Sequence, residues 1–173
     1  MSGVLLSVFN ADGQILGRRL TAFPLTRVQV LSPPPADPFT TEPTPVGEIL
    51  RYSGRYGGGR THVSGIVAMQ RGHSIYIQDE TGGLRIDARN ARVAPGEIIS
   101  AVGYPSAGLY GPRLTEAEVR STGRFEPLTP VSITPEDGMS GRFEQRFVEI
   151  EGKVLSQSSG STQHLVLQSG GHT

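Results

Sequence analysis

The chain has 173 residues, 16 basic against 16 acidic side chains and no cysteine, which excludes disulfides, thiolate zinc sites and cysteine nucleophiles. Zero formal charge means that no global field draws it to nucleic acid or to an anionic membrane. Gly at 23 positions and Pro at 13 suit short strands and turns better than long helices, and no apolar run approaches the roughly 18 residues that span a bilayer.

Residues 1–31 read as strands from a preceding domain or an arm. VLLSVF and QILGRRL flank Asp12-Gly13, a strong hairpin signal, and RVQVL offers a third strand; three strands of this size bury little alone. The opening MSGVLLSVFNADG has neither the basic start nor the small-residue cleavage site of a secretory leader. Residues 32–45, SPPPADPFTTEPTP, are too rich in Pro for helix or central strand and read as a semi-extended linker. Thr44 as N-cap, Pro45 at the first helical position and Glu48 in the first turn predict a helix of about two turns through VGEILRY. SGRYGGGR follows as a flexible connection, its glycines lacking the Lys-Ser/Thr of a phosphate cradle.

From Thr61 five β elements follow: HVSGIVAMQ, SIYIQD, GLRIDA, APGEIISAVGYP and PRLTEAEVRSTG. Alternation points Ile75, Ile77, Leu84 and Ile86 inward, and Leu114, Ala117 and Val119 join them as core positions. Gly65 marks a place for a bulge or a strong coiling of the strand, and Pro95-Gly96 marks a turn. Five strands in so short a span predict a mainly β protein, with a five-stranded OB-like barrel over 46–124 and a short connecting helix.

Part of the sequence repeats. Thr44-Pro45, Gly65-Ile66-Val67 and Ile75-Tyr76-Ile77-Gln78 ahead of Gly82-Gly83 recur as Thr134-Pro135, Gly152-Lys153-Val154 and Leu165-Val166-Leu167-Gln168 ahead of Gly170-Gly171. Residues 132–173 therefore read as the start of a second OB-like unit with two of its strands, and the expectation is that the sequence belongs to a longer protein rather than that a partner completes the barrel.

The same alternation turns Tyr76, Gln78, Arg85 and Asp87 outward. That surface of an OB barrel commonly binds oligonucleotides or oligosaccharides. Arg71 and His73 in the turn before it, and Tyr104, Tyr110 and Arg113 in or beside YPSAGLYGPR, read as a long loop, complete the candidate ligand-binding set. Between Arg60 and Arg124 eight Arg face six acids, and the two strands offer one Tyr, so Tyr76 as a cross-strand packing partner outweighs Tyr76 as a base platform. Asp79-Glu80-Thr81-Gly82-Gly83 suits a turn, with positive φ at the glycines and backbone bonds from Asp79 or Thr81, better than a cation site lacking a full ligand ladder. His62, His73, His164 and His172 show no metal spacing, and Glu116 and Glu118 share a strand face as solvated neighbours. No catalytic residue, metal or cofactor is expected.

Val63, Gly65, Val67, Ile75 to Asp79, Thr81 to Leu84, Pro95, Gly96 and Gly103, followed by Val148, Ile150, Gly152 and Val154, give a pattern over residues 44–171 that resembles the tandem OB-fold modules in the sensory regions of bacterial membrane-bound sensors, notably sensor histidine kinases. The resemblance implies a non-catalytic, extracytoplasmic module that binds a ligand or relays a signal. Its partners would be neighbouring domains of the same larger protein and a small ligand, with membrane attachment only through segments outside this sequence. Single-stranded nucleic acid or an oligosaccharide on the same face is the alternative.

Overall fold

The computed structural model describes residues 3–9, 15–21, 31, 33, 35–49, 59–108, 110–158 and 164–171, which fall into two compact units, Met1–Ala36 and Asp37–Thr173. In the first, β1 (Val4–Phe9) and β2 (Ile15–Thr21) form an antiparallel hairpin from Val4↔Thr21 to Phe9↔Ile15. Most of the third strand expected there, RVQVL, lies outside the described residues.

The second unit is built on a closed five-stranded barrel. Its strands are β3 (Thr61–Arg71), β4 (Ser74–Gln78), β5 (Gly83–Asp87), β6 (Glu97–Gly108) and β7 (Gly111–Phe125), in the order β3-β4-β5-β7-β6 with β6 returning to β3. All neighbours are antiparallel except β5 and β7, which close the barrel through a short parallel ladder, Arg85↔Arg113 and Ile86↔Leu114. This is an OB-like barrel. Ile75, Ile77, Leu84, Ile86 and Leu114 are fully buried with Val63, Val67 and Ile99, and Ala117 and Val119 pack against them, as strand alternation requires.

Several local expectations are corrected. Where the two-turn helix was expected, the described residues begin with a 3-10 turn, Val46–Glu48, and the remainder of VGEILRY after Ile49 lies outside the described residues. Thr44 does not cap the turn: Pro45 stands at the N-cap without a side-chain bond, and the N–H of Val46 finds the Asp79 carboxylate at 2.8 Å and that of Gly47 the Thr81 hydroxyl at 2.8 Å. Those two caps seat Val46 and Ile49 at the bottom of the core. The bulge in β3 falls between Val67 and Met69 rather than at Gly65.

The Pro-rich stretch is not all linker. Asp37 caps a 3-10 turn, Pro38–Thr40, and the strap that follows lies on the barrel: the His62 imidazole donates from Nδ1 to the Thr41 carbonyl at 2.6 Å, and Phe39 meets the His62 ring edge-on at 5.7 Å. The expected loop at 104–113 is the ladder of a hairpin, from Tyr104↔Thr115 to Gly108↔Gly111. Beyond the barrel, β8 (Val131–Ser132) runs parallel to β9 (Val148–Glu149), with α1 (Pro135–Met139) between them, opened by a reciprocal Thr134–Asp137 capping box. Strands β10 (Lys153–Ser158) and β11 (His164–Gln168) form a last hairpin.

Candidate functional site

Paired residues on adjacent strands point to the same side of a sheet, so the ladders assign the outward face of β4 and β5. Ile66, Gln78 and Gly83 make one row, Met69, Tyr76, Arg85 and Arg113 the next, and Arg71, Ser74 and Asp87 the third. The middle row brings three of the candidate residues, Tyr76, Arg85 and Arg113, side by side over three strands.

Asp87 organises the cations. Its carboxylate accepts from Arg85 Nε at 2.8 Å, lies 3.9 Å from Arg113 Nη1, and accepts the Ser74 hydroxyl at 3.3 Å. The two guanidiniums are thereby held along the row, and Arg113 keeps a buried Nε with no partner among the described residues.

At the Asp87 end the face opens into a groove of about 870 Å³, lined on one side by His73, Arg85, Asp87, Arg89 and Asn90 and on the other by Phe39 and residues 115–120 of β7. Its far wall is fixed from the strap. Arg120 lies over the Phe39 ring, 3.8 Å from its centre, and bonds the Asp37 carboxylate at 2.8 Å. The Arg120 hydrogen bond first, and the Phe39 N–H second, hold the Asp37 carboxyl below its ordinary range. Glu116 enters this wall from a positive φ of 50°, where β7 carries two residues, Glu116 and Ala117, against Gly103 on β6. Such a bulge re-aims a side chain, so Glu116 and Glu118 are not simple strand-face neighbours; Glu118 pairs with Arg60 at 2.7 Å.

The opposite end is filled by the chain itself. Phe147 donates its N–H to Gln78 Oε1 at 2.8 Å, Gln145 Nε2 donates to the Tyr110 carbonyl at 2.6 Å, and Arg146 Nη2 donates to the Asp79 carbonyl at 3.3 Å. Gly83 makes room for this clamp: a Cβ there would overlap the Gln145 carbonyl group and come within 2.8 Å of the Arg146 nitrogen. Gly82 and Gly83 are thus not needed for positive φ, which neither adopts; Gly83 serves close approach. The rest of the acidic turn is structural, because the Asp79 carboxylate accepts from the N–H groups of Val46, Thr81 and Gly82 and from the Thr81 hydroxyl.

Of the eight candidate residues, Tyr76, Arg85 and Arg113 share a row, and His73 and Arg71 stand at the open end, with His73 lining the groove. Gln78 and Tyr110 belong to the clamp, although the Tyr110 ring is 72% exposed. Tyr104 stands apart on β6, exposed and paired with Thr115. The sequence reading missed Phe39, Arg89, Asn90 and Arg120 as groove residues and Gln145 and Arg146 as the clamp. The Asp-Pro pair before Phe39, a capping residue followed by Pro at the first helical position, was the available signal for the strap.

Among the described residues, no cluster of three or more His, Asp and Glu could hold a metal ion, and no helix is long and apolar enough to cross a membrane. No protein-family model matches the sequence, and no curated protein is significantly similar to it.

Proposed function

We propose that the barrel is a non-catalytic binding and signal-relay module, part of the extracytoplasmic sensory region of a larger bacterial membrane sensor. One observation carries this reading: the same two strands, β4 and β5, bear an open groove at one end and, at the other, the clamp formed by residues of the second repeat. A small polar ligand with an acidic group, bound near Arg85, Arg113 and Arg89, would act on strands that also hold residues 144–147. The sensory context rests on the resemblance of residues 44–171 to tandem OB-fold sensor modules.

A thermal-shift screen of small organic acids and sugars, followed by hydrogen exchange on the best hit, tests this. Binding to the native state alone adds about 2.7 kcal/mol at 100 times Kd, an easily read shift. The expected result is stabilisation lost in Arg85→Ala, with altered exchange at 144–147. Stabilisation that survives Arg85→Ala removes the site, and unchanged exchange at 144–147 removes the relay.

The row of Tyr76 between Met69 and Arg85 favours a second reading, single-stranded nucleic acid or an oligosaccharide across the face. For a nucleic acid, log affinity falls with log salt at a slope of about −0.7 per phosphate neutralised, and both Tyr76→Ala and Arg85→Ala weaken it. A salt-independent or absent signal excludes the nucleic-acid form.

A further inference from the structure

The second repeat can be laid on the first residue by residue. The pairs Ile66↔Gln78, Val67↔Ile77, Met69↔Tyr76, Gln70↔Ile75 and Arg71↔Ser74 recur as Lys153↔Gln168, Val154↔Leu167, Ser156↔Val166, Gln157↔Leu165 and Ser158↔His164. The register is the same throughout, and the bulge recurs at the same step, skipping Ala68 in one unit and Leu155 in the other. The close approach recurs as well: a Cβ on Gly65 would meet the Gln78 carbonyl oxygen at 2.8 Å, and one on Gly152 would meet that of Gln168 at 2.9 Å. The entry is similar but one residue out of step: Thr44 N–H bonds the His62 carbonyl at 2.8 Å, whereas the carbonyl of Glu149, the counterpart of His62, is bonded at 3.0 Å by the N–H of Ile133, one residue before Thr134.

Cover is what differs. Val63, Val67, Ile75 and Ile77 are 0% exposed. Their counterparts Ile150, Val154 and Leu165 are 40%, 53% and 57% exposed, and Leu167 is half-buried. All four remain apolar at positions that a solvated hairpin would fill with polar residues. In the first repeat the same positions are covered by β5 along the free edge of β4 and by β6 along the free edge of β3, with β7 closing the barrel.

We infer that β10 and β11 are the first two strands of a second barrel, and that their apolar face and both edges are the docking surface for three strands of the β5-β6-β7 pattern, supplied by the same polypeptide. The first strand would run antiparallel along β11, where Gly170-Gly171 follows Gln168 as Gly82-Gly83 follows Gln78. The second would run antiparallel along β10. A second copy of this chain fits less well, because packing two hairpins face to face leaves all four edges unpaired.

Hydrogen exchange and solution mass, measured on residues 1–173 and on the same chain extended at Thr173 with a copy of its own residues 83–125, test the inference. In the shorter chain, amides of β10 and β11 are expected to exchange roughly 100-fold faster than those of β3 and β4 in the monomer; in the extended chain they slow by a similar factor while the mass stays monomeric. Three outcomes overturn the inference: protection of β10 and β11 in the monomeric shorter chain, protection that appears only with a concentration-dependent dimer, and an extended chain whose β10 and β11 amides stay fast. The Leu167→Ser substitution guards against an unrelated effect of the graft, since it should abolish the gain in the extended chain and leave exchange in the first barrel unchanged in both.

Discussion

At the Gln78 end of β4 and β5 the outward face is filled by backbone from residues 144–147, whereas at the Asp87 end it opens onto a groove lined by charged, polar and small apolar side chains. Both ends belong to the same antiparallel pair, five residues long on each strand, so strand geometry cannot account for the difference. Side-chain size does at one end: Gly83 offers no Cβ, and another backbone moves in. Charge does at the other, where Asp87 holds Arg85 and Arg113 along the sheet. The surface proposed to bind a ligand is therefore delimited by where the chain has already used its own face.

On the proposed reading the clamped end supplies stability and the open end binding, and substitutions can break that division. The largest effect is expected from Gly83→Val, whose side chain collides with Gln145 and Arg146. Forcing atoms into a packed contact costs about 1–3 kcal/mol, and release of the clamp exposes residues 144–147. Urea unfolding should show the loss and hydrogen exchange should show the release; wild-type stability with a protected clamp would remove the clamp from the account.

Asp87→Ala should do less to stability. The carboxylate serves two half-exposed arginines, and pairs of that kind contribute about 0–1 kcal/mol. The expected outcome is a shift of less than about 1 kcal/mol in urea unfolding, together with a clear change in the binding of any ligand that the groove takes. An Asp87→Ala protein less stable than Gly83→Val would reverse the assignment of the two ends.

The inward residues were legible because a strand buried on one side writes its burial in a period of two: Ile75, Ile77, Leu84 and Ile86 are apolar and their neighbours Tyr76, Gln78, Arg85 and Asp87 are polar. The same rule exposed the middle row of the face. The clamp was hidden, since Gln145 and Arg146 sit in RFEQRF without periodicity and act on partners 35 and 67 residues away. Gly83 was misread because turns and close approaches both call for glycine, and only coordinates separate the two. The hairpin at 104–113 was masked by its Gly and Pro content, local signals of a loop that the β6–β7 pairing overrides.

The smallest expected effect sharpens the wall of the groove rather than the barrel. Asp37 titrates below its ordinary value because Arg120 and the Phe39 N–H bond its charged form. In the unfolded chain the same carboxyl takes up its proton more readily, so its contribution is complete above about pH 4 and is lost as pH falls through the lowered folded value. Acid should then loosen Phe39 from Arg120 before the barrel unfolds, since the core beneath is apolar. Asp137 is lowered as well, chiefly by the Thr134 N–H, but it stabilises the start of α1 and not the strap. NMR of the Phe39 and Asp137 amides separates the two: in Asp37→Asn the acid step at Phe39 should vanish while that at Asp137 persists. A Phe39 step that survives the substitution would mean that the strap is held without Asp37, and the groove wall would then owe its position to Phe39 packing on His62.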